Sequence, residues 1–139
     1  MNKQGLGLIA RGLLVMSLLV VCDEAHSQQS KKEIYELQER CGKRAAEMFD
    51  RDNPKEDRKG LEDFENHYSV RLNKCFILEM NTSYSRVEGK TEKIIILNLI
   101  DVNDNKSYGS FSPLNCEIQA KVCHSEQEFR ALIRPFLED

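Results

Sequence analysis

Cys22, Cys41, Cys75, Cys116 and Cys123 constrain this chain more than any other feature, because five cysteines cannot all close into pairs. Cys22 stands apart from the rest. It follows the uncharged run Leu13–Val21, which has Lys3 and Arg11 before or near its start and Asp23-Glu24 just beyond it. Nine uncharged residues are too few to cross a bilayer, which takes about 20. They are also apolar on every side at an extreme terminus, which disfavours an amphipathic helix buried in the fold. The basic start, the short apolar core, and Ala25 and Ser27 at the minus-three and minus-one positions describe a secretory signal peptide over residues 1–27, cleaved after Ser27. A second export reading takes Leu19-Val20-Val21-Cys22 as a lipoprotein box and anchors the chain in the cell envelope through a lipid on Cys22. Either reading withdraws Cys22 from the thiol pool. Residues 28–139 then carry four cysteines into an oxidising compartment, where disulfides are favoured.

Length and charge narrow what that domain can be. At 139 residues the whole chain allows one domain at most. Its 20 basic and 23 acidic residues leave a net charge of −3. That balance argues against a dedicated nucleic-acid binder, which needs a basic footprint. The leader holds Lys3 and Arg11 against Asp23 and Glu24, so its removal leaves the balance unchanged. Hydrophobic residues make up 40% of the chain and charged ones 31%, a globular composition rather than a disordered or collagenous one.

Ser30-Lys31-Lys32-Glu33 matches a capping box, and Ile34, Leu37, Cys41, Ala45 and Met48 follow at helical spacing. This predicts a helix from Lys31 to Asp50 that ends at Asn53-Pro54 and turns Cys41 inward. From Asp50 to Glu65 charges of both signs crowd together, which reads as a solvated face or loop, with Leu61, Phe64 and Tyr68 spaced for a short helical turn. Cys75–Ser85 reads as a first strand. Glu88-Gly89 supplies a turn, and Lys93–Val102 is a strand apolar on both faces, which places it in the middle of a sheet. The same run of β-branched residues is the chain's clearest aggregation hazard. Asn103-Asp104-Asn105 turns into a third strand, Lys106–Ser112. Ser125–Glu128 repeats the capping pattern ahead of Phe129, Leu132, Ile133, Phe136 and Leu137, with Pro135 expected to kink the resulting helix. The expected architecture is α+β: an N-terminal helix, a three-stranded antiparallel meander and a C-terminal helix. Both helices are expected on one face of the sheet, in two layers.

Four cysteines allow three connectivities, which the sequence leaves open. Pairing Cys41 with Cys75 and Cys116 with Cys123 is preferred, since the first ties the opening helix to the sheet and the second closes the loop feeding the last helix. Zinc is a rival use for Cys116, Cys123 and His124 with Cys41 or Cys75. However, six residues separate Cys116 from Cys123, more than structural zinc sites commonly use. A c-type haem is excluded by the absence of Cys-x-x-Cys-His. Asp101-Val102-Asn103-Asp104-Asn105 begins like a calcium loop, then places Lys106 where glycine makes the turn and Ser112 where the bidentate glutamate belongs. A polar hairpin turn explains it better. His67 and Tyr68, just before Cys75, are the one pair suggesting acid–base or nucleophilic chemistry, and no catalytic motif accompanies them.

The segment His67-Tyr68-Ser69-Val70-Arg71-Leu72-Asn73-Lys74-Cys75-Phe76, with Asp101-Val102-Asn103 and Lys106-Ser107-Tyr108-Gly109, resembles small uncharacterised exported proteins of Gram-negative bacteria. The resemblance implies a location and no activity. The expectation is a non-enzymatic, disulfide-stabilised periplasmic or secreted domain without cofactor or metal. It would bind another protein or envelope macromolecule as an inhibitor-like or accessory module, touching the membrane only through its leader or a lipid anchor. The alternatives are a small exported enzyme or redox protein using His67 or a free cysteine, and a lipid-anchored envelope protein using Cys22.

Overall fold

The computed structural model describes residues 30–55 and 61–138; the expected signal peptide, its cleavage point at Ser27 and Cys22 lie outside the described residues. The first helix, α1 (Lys31–Asp52), opens on a complete capping box. The Glu33 amide donates to Ser30 Oγ at 3.2 Å, and the Ser30 amide donates to the Glu33 carboxylate at 2.7 Å. Asn53 ends the helix by donating its backbone amide to the Phe49 carbonyl at 2.8 Å, and Pro54 follows. One stripe of α1, through Cys41, Ala45, Met48 and Phe49, is buried.

The sheet has six strands rather than the three expected: β1 (Leu61–Ser69), β2 (Lys74–Val87), β3 (Lys90–Asp101), β4 (Lys106–Ser112), β5 (Asn115–Ile118) and β6 (Lys121–Val122), paired in that order. All five pairings are antiparallel. The error at β1 has a physical origin. Phe64 and Tyr68, four residues apart, share a face in a strand as well as in a helix, and Leu61, which completed the helical spacing, is 69% exposed on the opposite face. The charges between them are those of an edge strand, where they discourage pairing with other chains. Strands β5 and β6 are four and two residues long, too short for a period-two pattern to declare itself. Residues Glu88 and Gly89 both take positive φ, 51° and 80°, as a two-residue type I′ hairpin turn between β2 and β3 demands.

The two helices lie on opposite faces of the sheet, which makes three layers and corrects the expected two. In β2 the side chains alternate, so Cys75 and Ile77 join Tyr68, Ile100 and Val102 under α1, while Phe76 and Leu78 join Leu97, Leu99 and Ile118 under α2 (Glu126–Leu137). That alternation explains why β2 and β3 are apolar on both faces: each face has its own helix to cover. Burial of a side chain such as Phe76 or Leu99 stabilises the fold by about 1.5–3 kcal/mol. The rings of Phe76, Tyr108 and Phe136 meet edge to face at 5.1–5.6 Å. Tyr108 reaches that cluster because the β3–β4 register slips between Leu99 and Ile100, a bulge that re-aims its side chain. Next to it, Gly109 has no room for a side chain: a Cβ there would stand 2.7 Å from the Glu117 carbonyl oxygen. Helix α2 continues through Pro135 in its last turn, and the Arg71 guanidinium donates to the Pro135 carbonyl at 2.7 Å.

Cys41 is bonded to Cys75 across the α1–sheet interface, with 5.4 Å between their Cα atoms. Cys116 is bonded to Cys123 across the β5–β6 turn, with 5.0 Å between their Cα atoms. Both bonds fit an oxidising environment. Among the described residues, no helix is long and apolar enough to cross a membrane.

Candidate binding surface

The pair that suggested catalysis is separated by the sheet itself. His67 lies on the α2 side of β1, opposite Phe76, whereas Tyr68 lies on the α1 side, opposite Cys75, whose sulfur is consumed in the bond to Cys41. A disulfide sulfur has no thiolate to act as a nucleophile or metal ligand. The same holds for Cys116 and Cys123, so the proposed zinc set loses its thiolates, and His124 is exposed beside them. Among the described residues no group of three or more His, Cys, Asp or Glu side chains stands ready to hold a metal.

The segment with the start of a calcium loop is a turn built on a buried acid. Asp101 is fully buried; its carboxylate accepts from the backbone amide of Asn103 at 2.9 Å and from the Lys74 ammonium. Lys74 also donates to Asp104 at 2.9 Å and sits 5.8 Å from the centre of the Tyr108 ring. These hydrogen bonds to Asp101 and Asp104 raise the Lys74 pKa, and the bond from Lys74 lowers that of Asp104. With a cation already filling the loop, its chemistry is to lock the β3–β4 turn to the start of β2.

A different part of the molecule is left open. β1 reaches only to Thr82 of β2, and β4 reaches only to Leu97 of β3. Beyond those points Ser83–Val87 and Lys90–Ile96 continue as a two-stranded ribbon, with no further strand beside either edge among the described residues. The ribbon carries apolar side chains on both faces. Tyr84, 61% exposed, shares one face with Ile95 and with Leu61 at the end of β1; Ile96 (38% exposed) and Val87 (46% exposed) share the other with Ile94. The β3 edge in this stretch offers unpaired main-chain donors and acceptors along Lys93-Ile94-Ile95-Ile96, the usual template for adding a strand.

At the root of the ribbon Glu79 lies between Phe64 of β1 and Asn98 of β3. Its Oε1 atom is buried without a hydrogen-bond partner, and burial first, then the nearby Asp52 charge, raises its pKa above the carboxylate norm.

Sequence reasoning marks the whole run Lys93–Val102 as an aggregation hazard but not which part of it is exposed, because the length of β2 and β3 beyond their neighbours depends on where β1 and β4 stop. It had no signal for Lys74–Asp101 or Glu79, whose surroundings are assembled from distant strands. Comparison of the chain with protein-family models finds no match, and comparison with curated proteins and with solved structures finds none either.

Proposed function

We propose that this protein is an exported, non-enzymatic binding domain, braced by two disulfides, that engages an extended segment of another protein along the β2–β3 ribbon. The observation that carries the reading is the ribbon itself: an open-edged extension, with Tyr84, Val87 and Ile96 exposed, of strands that are otherwise covered by two helices. An apolar run at an open edge is an association hazard unless a partner covers it. Lys90 and Lys93 stand along the open β3 edge with Glu92 between them, so the matching segment is extended, apolar at alternate positions and acidic where it meets those lysines. The apolar leader, the even set of cysteines in residues 28–139 and the two disulfides support a periplasmic or secreted address.

The test is affinity capture from periplasm and culture medium with the oxidised protein and with its Tyr84→Ser/Ile96→Thr variant, followed by titration of the purified partner. The reading expects one partner retained by the wild type, lost by the variant, and binding through an extended segment. No reproducible partner, or equal retention by both proteins, contradicts it. Intact mass tests the address separately: a chain beginning at Gln28 is expected, and a lipid-bearing Cys22 start would replace the free domain by an anchored one.

A further inference from the structure

On the opposite end of the molecule from the ribbon, a cavity of about 230 Å³ opens between α1 and the two turns at residues 70–73 and 102–105. Its floor is the Cys41–Cys75 disulfide and Tyr68; Arg40 and Arg44, from successive turns of α1, stand on one side, and Asn73 and Asn103 on the other. In a chain with more acids than bases, no carboxylate lines this cavity.

The hydrogen bonds inside it leave an excess of donors. Arg44 Nη1 donates to Asn103 Oδ1 at 2.8 Å, and because a guanidinium can only donate, the amide nitrogen of Asn103 is left facing away from that bond as a further donor. The Tyr68 hydroxyl donates to Asn73 Oδ1 at 2.5 Å, which likewise occupies the carbonyl and leaves the amide nitrogen. Among the described residues Arg40 has no acidic partner. The two side-chain acceptors on the asparagine wall are therefore used by donors of the cavity itself, while two amides, one guanidinium and the remaining N–H groups of another are left. Asp101 and Asp104 lie nearby and are bridged by Lys74, but neither lines the cavity.

We infer that this cavity is a binding site for a small oxyanion, a carboxylate or a phosphate group. Two guanidinia one helical turn apart, with two asparagine amides lining the same cavity, suit an acceptor-rich planar or tetrahedral anion. The volume admits a free small acid or one anionic group of a larger ligand. The site is separate from the ribbon, so it stands or falls independently of the proposed partner.

The experiment is a titration of the ¹⁵N-labelled, oxidised protein with inorganic phosphate, with succinate and with a short peptide whose free carboxylate is at its C-terminus, all at constant low ionic strength because exposed charges are screened by salt. The wild type should show saturable shifts of the Asn73 and Asn103 side-chain amides with at least one of the three, and the preferred arm identifies the source of the oxyanion. Arg40→Gln should raise that Kd at least tenfold. This substitution breaks no hydrogen bond among the described residues, and an unchanged amide spectrum elsewhere verifies its fold. Lys43→Gln, which removes the same charge from an exposed α1 residue that does not line the cavity, should leave the Kd unchanged. Linear, non-saturating shifts, equal weakening by the two variants, or no response of either amide to all three ligands would overturn the assignment.

Discussion

The two ends of the β2–β3 pair follow different rules. Near Phe76–Leu78 and Leu97–Asp101 the pair is central to the sheet, covered by α1 on one face and α2 on the other, and Phe76, Ile77, Leu78, Leu97, Leu99 and Asp101 are fully buried. Near Ser83–Val87 and Lys90–Ile96 the same two strands run past their neighbours with Tyr84, Val87 and Ile96 exposed. The apolar run of β3 itself crosses the division, since Ile94-Ile95-Ile96 leads straight into Leu97–Ile100, while Arg86, Lys90, Glu92 and Lys93 mark the projecting end. The difference is what lies beside and above them. Apolar patterning determines that a segment forms a strand, but burial is decided by the lengths of other elements. A stretch that keeps core-like residues outside the core is where association is to be expected.

The contrast can be broken most strongly at the buried end. Phe76→Ala removes a fully buried ring that meets Tyr108 and Phe136, and chemical denaturation should show a loss of about 3–5 kcal/mol. A loss below about 1 kcal/mol would mean that this half is not the cohesive one. The disulfides come next. Cys41–Cys75 closes a separation of 34 residues and Cys116–Cys123 one of 7, for which loop-closure entropy gives about 3.8 and about 2.5 kcal/mol. The double variant Cys41→Ser/Cys75→Ser should therefore lose more than Cys116→Ser/Cys123→Ser, and the reverse order would place the stabilisation elsewhere. At the projecting end, Tyr84→Ser/Ile96→Thr should change stability by no more than about 0.5 kcal/mol while abolishing partner capture.

The smallest effect is expected at the junction. Glu79 has its pKa raised by burial, then by Asp52, so protonation favours the folded state: this stabilisation is complete below the unfolded carboxylate pKa and is lost as pH rises through the folded one. Glu79→Gln should raise the melting temperature slightly at neutral pH and leave it unchanged at pH values where the carboxyl is already protonated in both states. A variant that is less stable at neutral pH would show that the Glu79 carboxylate supports the fold.

How far the sequence could be read follows from the range of the forces involved. Capping pairs such as Ser30 with Glu33 and stripes such as Leu37, Cys41, Ala45 and Met48 act within a few residues, so α1 was visible to within two residues of its end. The two-sided apolar run of β3 was likewise enough to place it inside the sheet. Strand β1 was not visible, because Phe64 and Tyr68 fit both periods and the deciding fact, pairing with β2, is non-local. The side on which each helix packs depends on Cys75 and Phe76 pointing in opposite directions, and two-sided apolarity was itself a clue to a helix on each face. For the candidate sites the distance is greater still. Arg40 and Asn103 are 63 residues apart in numbering yet line one cavity, and neither residue type announces such a partner.

Residue-resolved native-state hydrogen exchange along β2 and β3 tests the division of these strands most directly. The account predicts two tiers of protection in the isolated protein: hydrogen-bonded amides of Phe76–Leu78 and Leu97–Asp101 should exchange only through global unfolding, and those of Ser83–Val87 and Lys90–Ile96 through local opening at much lower free energy. A single tier, with the ribbon as protected as the buried half, would contradict it.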